Sequence, residues 1–279
     1  MSGFEFLIHE PQGELRRFVE AVWFARGRSP TAREQIAPTG STVAGIVLAD
    51  PILQTAARAT VPYRAETGFL IGPHDRPMVN QPLGLTHCYG IVVTPVGCRA
   101  VFGCKPAPLR GRVVDLVEEW PEAGRLRSAL AAIGDGASGL ELLRAALARL
   151  PLHPEPGMER AEVVVESLTR DPAVSIAALA DGLGISHGHL DRQFTRVVGL
   201  NPRTLARILR VRRLLERLDV AGQVDWSNLA AQHGWFDQAH LIRDFRRHTG
   251  VTPSAYVRAQ RAVYSPEDLA SSAGFTPER

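Results

Sequence analysis

Ser186-His-Gly-His-Leu-Asp-Arg-Gln-Phe-Thr-Arg-Val-Val-Gly-Leu-Asn-Pro202 is written again 51 residues later as Asp237-Gln-Ala-His-Leu-Ile-Arg-Asp-Phe-Arg-Arg-His-Thr-Gly-Val-Thr-Pro253. His189, Leu190, Arg192, Phe194, Arg196, Gly199 and Pro202 return in register as His240, Leu241, Arg243, Phe245, Arg247, Gly250 and Pro253. Each copy opens on a helix N-cap residue, Ser186 or Asp237, whose side-chain oxygen can accept an orphan backbone N–H. Each closes on a glycine suited to a left-handed C-cap, with proline three residues beyond. Leu190 and Phe194 fall at i and i+4, as do Leu241 and Phe245, so one stripe of each helix is buried and the arginines lie off it. Two such helices about one DNA turn (~34 Å) apart fit two successive major grooves from one face of a duplex.

Working outward, each helix is preceded by a matching short one. Leu179-Ala180 corresponds to Leu229-Ala230, and Gly184 to Gly234; the second turn carries one extra residue, Phe236. A small alanine lets the first helix of a helix-turn-helix pack closely on the second, and glycine suits the turn between them. A single copy would be compatible with an ordinary helical hairpin; two copies in register, with basic outward positions, argue for a DNA reader. Between the units, Pro202–Leu218 reads as one joining helix, apolar along Leu205, Ile208, Leu209, Val211, Leu214, Leu215 and Leu218. It is also rich in arginine, some of which is expected to pair internally with Asp or Glu.

Residues 158–262 resemble the DNA-binding domain of the AraC/XylS family of bacterial transcription regulators. The resemblance rests on Ala-x3-Gly-x-Ser-x3-Leu-x3-Phe over Ala180–Phe194 and on Gly-Trp-Phe-Asp-Gln-Ala-His-Leu-x-Arg-x-Phe over Gly234–Phe245. It extends through His248-Thr-Gly-Val-Thr-Pro-Ser-Ala-Tyr-Val-Arg258. It implies a sequence-specific regulator that reads bases with the second helix of each unit.

Composition supports a two-part chain. Its 279 residues suit two domains. Residues 160–262 hold 15 Arg, no Lys and 10 Asp or Glu, whereas the whole chain carries only +3, so the remainder is mildly acidic. A basic part beside an acidic one fits a DNA module joined to something else. Lys105 is the only lysine; arginine suits bidentate contacts to guanine and phosphate, but GC-rich coding accounts for the larger share of the bias. The three cysteines, Cys88, Cys98 and Cys104, form no Cys-x2-Cys pair and read as small core residues, with Cys98 and Cys104 spaced to meet across a turn. Met1–Glu10 has no basic, apolar leader pattern, and no apolar run reaches the ~18 residues of a membrane span. A soluble, reduced, cytoplasmic protein, nucleoid-associated through its DNA, is expected, with no membrane partner.

The first half differs in pattern. Val43–Leu48, Gly68–Ile71 and Gly90–Thr94 read as strands between turn formers. Pro11–Phe18 reads as a short helix leading into a strand over Val19–Phe24. Pro121–Ile133 and Leu140–Leu150 have helical spacing and should form an antiparallel hairpin broken at Gly134–Ser138. Phe69–Pro73, Gly90–Pro95 and Val113–Leu116 are similar to the cupin-like N-terminal domains fused to some members of the family, which implies sensing or dimerisation. The expected fold class is thus α+β. A small β-barrel or cupin-like domain with a helical hairpin occupies 1–151, a proline-rich linker 152–157, and an all-α domain of two helix-turn-helix units 158–262. A polar tail is expected over 263–279.

No catalytic, cofactor or metal constellation is read. His74 and His87 stand without a His-x-His pair and are expected to be structural, and Trp23, Phe69 and Tyr89 to be core. Base contacts are expected from His187, Gly188, Asp191 and Arg192 in the first unit and Gln238, Ala239, His240 and Arg243 in the second. Arg196, Arg203, Arg246 and Arg247 are expected on phosphates. Double-stranded DNA is the expected partner, with RNA polymerase, a small-molecule effector and a second copy of the chain as further candidates. The rival readings are an enzyme, cupin-type or DNA-repair, fused to a DNA module, and a non-specific architectural DNA binder.

Overall fold

The computed structural model describes residues 3–152, 156–265 and 273–278. Its strands are β1 (Glu5–His9), β2 (Val19–Arg28), β3 (Glu34–Ile36), β4 (Val43–Val47), β5 (Ile52–Thr55), β6 (Tyr63–Ala65), β7 (Gly68–Ile71), β8 (Met78–Pro82), β9 (Leu85–Val93), β10 (Val113–Val114) and β11 (Phe275–Pro277). Its helices are α1 (Gly97–Phe102), α2 (Pro106–Leu109), α3 (Leu116–Glu119), α4 (Glu122–Ala131), α5 (Gly136–Ala148), α6 (Met158–Arg170), α7 (Ile176–Gly182), α8 (His187–Val198), α9 (Pro202–Arg217), α10 (Trp226–Gln232), α11 (Gln238–Thr249) and α12 (Pro253–Val263). The strands form two antiparallel sheets, ordered β1-β2-β9-β4-β7-β10 and β11-β3-β8-β5-β6. Val47, Ile52, Phe69, Met78 and Cys88 form one buried cluster of this β-domain.

A second core makes the domains continuous. It runs from Phe24, Tyr89 and Ile91 through Leu140 and Leu143 of α5 to Val164 of α6, Leu190 and Phe194 of α8, and Leu205 of α9. The second helix-turn-helix has its own core, built on Leu214, Trp235, Leu241, Phe245 and Tyr256. Burial of these apolar stripes is the dominant favourable term in folding and dictates which helix faces turn inward.

Three expectations are corrected. The Pro11–Phe18 helix is only a 3-10 turn over Gly13–Arg17, closed by the Phe18 N–H on the Leu15 carbonyl at 3.0 Å just before β2 begins at Val19. The second hairpin helix starts at Gly136 rather than Leu140: Asp135 caps it by accepting from the Ser138 N–H at 2.8 Å. Gly139 there lies against the Tyr89 ring, where a Cβ would overlap it. The polar tail from 263 is not solely a tail. Phe275–Pro277 pairs antiparallel with β3, Phe275 opposite Ile36 and Thr276 opposite Gln35, and buries Thr276. Local polarity is outweighed there by backbone pairing at a sheet edge. Residues 153–155 of the expected linker, and 266–272 and 279 of the tail, lie outside the described residues.

Candidate nucleic-acid interface

Both recognition helices are built as the repeat requires. The Ser186 hydroxyl accepts from the His189 N–H at 3.3 Å, and the Asp237 carboxylate from the His240 N–H at 2.6 Å. Gly199 and Gly250 cap the far ends at φ +81° and +82°, a left-handed conformation that strains any residue with a Cβ. Leu190, Phe194, Leu241 and Phe245 are fully buried, which turns the opposite faces to solvent.

In the first unit Gly188, His189, Arg192 and Arg196 are exposed. His187 and Asp191 are only half exposed, and His187 Nε2 and Asp191 Oδ1 are shielded without a hydrogen-bond partner. Arg196 Nη2 donates to the Pro156 carbonyl at 2.7 Å, so one arm of this phosphate candidate already holds the segment before α6.

In the second unit Gln238, Ala239, Arg243 and Arg246 are exposed. Gln238 Oε1 accepts from Ser227 Oγ at 2.9 Å, a bond that orients its amide on the solvent side of the turn. His240 is drawn inward: its Nε2 lies 3.5 Å from the Asp244 carboxylate, which also accepts from Trp235 Nε1 at 3.0 Å. This makes His240 part of a supporting network. Phe236, the extra residue of the second turn, is 93% exposed, the most exposed of the large hydrophobic side chains described. The one-residue insertion between otherwise matching turns is the sequence signal that sets this residue apart.

Helix α9 couples the two units through its arginines. Arg210 Nη2 donates to the Pro172 carbonyl at 3.2 Å on the first side, and its guanidinium stacks 5.6 Å from the Trp235 ring centroid on the second. Arg213 donates to the carbonyls of Thr169 and Arg170, the C-terminal end of α6. Arg212 is clamped between Glu20 at 2.5 Å and Glu216 at 3.0 Å, and burial of its charge is outweighed by those carboxylates, which raise its affinity for the proton. Arg203, Arg207 and Arg217 remain exposed.

The β-domain reaches the far ends of both recognition helices. At α8, the Gly199 cap sits against Pro73 and Pro106. At α11, Asp75 Oδ2 binds Arg247 Nη2 at 2.5 Å, and the Asp75 carbonyl pairs with His248 Nδ1 at 3.0 Å. Arg247, expected on a phosphate, has Asp75 as its partner in this structure, a residue 172 positions away whose charge no local pattern associates with it. Burial would raise the Asp75 carboxyl, but the Arg247 guanidinium outweighs it and holds the acid below its ordinary range. Burial depresses His248 to about 4, so at neutral pH its imidazole is uncharged and donates from Nδ1. Further contacts are Arg17 to Glu162 at 2.5 Å, and Gln35 packed against Gly250.

In the β-domain, Phe69 and Tyr89 are core as expected, and Trp23 is half-buried. His74 is buried with Nδ1 3.0 Å from the Gly72 carbonyl, and His87 packs edge-on against Phe24. Among the described residues no three His, Cys, Asp or Glu side chains converge as metal ligands would, and no helix is long and apolar enough to cross a membrane.

Comparison with known proteins agrees with this geometry. A Helix-turn-helix domain family matches residues 179–259, and a domain of unknown function (DUF6597) matches residues 8–115. The probable transcription factor PqrA of Proteus vulgaris is 33% identical over 91 residues, 32% of this chain and 72% of the relative. The HTH-type transcriptional regulator RipA of Corynebacterium glutamicum is 32% identical over 117 residues, 40% of this chain but only 34% of the relative. The chain thus spans about a third of RipA's length. Among solved structures, ToxT from Vibrio cholerae aligns over 92% of this chain and 98% of its own, at 12% identity and a TM-score of 0.45. The family match and the sequence relatives, together with two helix-turn-helix units joined by one helix, make the chain a DNA-binding transcriptional regulator. The chain belongs to the AraC family of these regulators.

Proposed function

We propose that this protein reads a specific DNA sequence by placing α8 and α11 in two successive major grooves, and that it acts as a cytoplasmic regulator rather than an enzyme. The observation that carries the reading is Arg210, which grips both units at once and so holds two outward faces at a set spacing. Gly188 and Arg192 in one groove, and Gln238, Ala239 and Arg243 in the other, are the base readers. The Gln238 amide suits adenine, Ala239 a thymine methyl, and each arginine the O6 and N7 of guanine. His187, Asp191 and His240 shape the floor of the reading faces. Arg196, Arg203 and Arg246 meet phosphates, and Phe236 packs on a deoxyribose beside the second groove. The β-domain modulates this reading through its contacts at the Gly199 and Gly250 ends.

Iterative selection of full-length protein on randomised duplexes, at fixed physiological salt, tests the proposal. Two enriched blocks about one helical turn apart are expected. Arg192→Ala should relax one block and Arg243→Ala the other, each by roughly 1–3 kcal/mol of discrimination, whereas Arg246→Ala should weaken every sequence alike. Equal affinity for random and selected DNA would replace this reading with that of an architectural binder.

A further inference from the structure

Cys98 and Cys104 close the junction between α1 and α2. Helix α1 ends at Phe102, Gly103 turns the chain at φ +73°, and Cys104 comes back so that the two Sγ atoms stand 3.7 Å apart. A disulfide requires about 2.05 Å, so the sulfurs need to approach by roughly 1.7 Å.

The two thiols are unlike. Cys98 is 1% exposed, and its hydrogen bond to Cys104, together with burial, pushes its thiol well up. Cys104 is half-buried, and the hydrogen bond from Cys98 lowers its thiol against the opposing effects of burial and the Glu119 charge. Cys104 is thus the more acidic and more accessible sulfur, with a resolving partner in place. Cys88 is fully buried, raised by burial alone, and serves as an internal control.

Two residues after Cys104, Pro106 opens α2, which packs on α8 and touches the Gly199 cap. We propose that Cys98 and Cys104 form an intramolecular disulfide on reaction with a hydroperoxide, and that this bond pulls α2 away from the α8 cap and weakens reading by α8. The second clause rests on the proposed DNA-reading function. In the first step the Cys104 thiolate attacks the peroxide, an S–O bond forms as the O–O bond breaks, and the alcohol or water leaves with a proton. In the second, the Cys98 sulfur attacks the sulfenic sulfur, S–S forms, S–O breaks, and water departs with the Cys98 proton. The sulfur pair loses two electrons and the peroxide gains them.

The test treats full-length reduced protein with hydrogen peroxide and follows thiols, mass and DNA binding separately. Two of the three thiols should disappear, the mass should fall by about 2 Da, and peptide mapping should join Cys98 to Cys104 with Cys88 still free. Cys98→Ala and Cys104→Ala should each abolish the link. On a selected duplex, oxidation should cost at least about fivefold in affinity. The loss should fall on the block lost in Arg192→Ala, and it should reverse with dithiothreitol. Peroxide that leaves all thiols free, or links Cys88, overturns the site; mapping on unsubstituted protein decides this even if a variant folds poorly. A Cys98–Cys104 link that leaves DNA affinity unchanged overturns the coupling to α8. Failure of the reduced protein to bind any duplex selectively would instead strike the DNA-reading proposal, and the mass result would stand apart from it.

Discussion

Replacing Asp75 by asparagine should loosen the molecule and tighten its hold on DNA. The Arg247–Asp75 contact is 2.5 Å, with the carboxylate side chain 14% and the guanidinium 37% exposed. Two unit charges about 4 Å apart attract by roughly 4 kcal/mol at an effective dielectric of 20. Desolvating the acid and ordering a half-exposed arginine remove much of that, as exposed pairs show. About 1–2 kcal/mol should remain as coupling, measured by urea unfolding of the Asp75→Asn, Arg247→Ala and double variants in a double-mutant cycle. The backbone bond to His248 survives the substitution. Freed from Asp75, Arg247 becomes available to a phosphate. The slope of log affinity against log salt should then steepen by about 0.9, the increment for one further phosphate on B-DNA. A coupling below about 0.3 kcal/mol, the scatter expected of independent sites, with an unchanged salt slope, would refute both the energetic estimate and the idea that the β-domain withholds this arginine.

Two further outcomes follow from the same geometry. Phe236→Ala should leave the unfolding midpoint unmoved, since the ring is 93% exposed, yet weaken DNA binding several-fold as lost apolar contact; equal affinity would remove Phe236 from the interface. His248 titrates near 4 when folded and 6.5 when free. The unfolded chain therefore binds the extra proton between those values, and stability is full above pH 6.5 and falls as pH drops towards 4. Urea unfolding at pH 7 and pH 5 should differ by about 2 kcal/mol from this group, and His248→Gln should remove that share.

The parts of this protein that declare themselves in sequence are those whose physics is local. In each copy the cap, Ser186 or Asp237, the closing glycine at 199 or 250, and the i, i+4 pair, Leu190–Phe194 or Leu241–Phe245, sit within one 14-residue stretch, and each is where periodicity places it. Strand β7 matched its expected bounds because turn formers flank it; β9 was longer than expected because Leu85–Tyr89 carries polar residues on a pairing strand. The exposed faces of α8 and α11 follow from the buried stripes, but how far each polar side chain reaches does not. His240 turns to Asp244 one helical turn along α11, a spacing present in the sequence, whereas Arg247 turns to Asp75, which another element brings near. Glu20 and Arg212, 192 positions apart, leave no spacing to find.

Strand β11 gives the molecule an order of assembly. Residues 275–277 complete a sheet whose other strands all lie before residue 83. A chain emerging from the ribosome can fold most of the β-domain early, yet β3 keeps a bare edge until both helix-turn-helix units have been synthesised. The Gly274 N–H bond to Tyr256 and the Gln260 bond to the Phe275 carbonyl then tie that last strand to α12. Completion of the sheet thereby reports that the DNA-reading half has been made and has docked, and a nascent chain stalled before it presents an open strand edge to its neighbours.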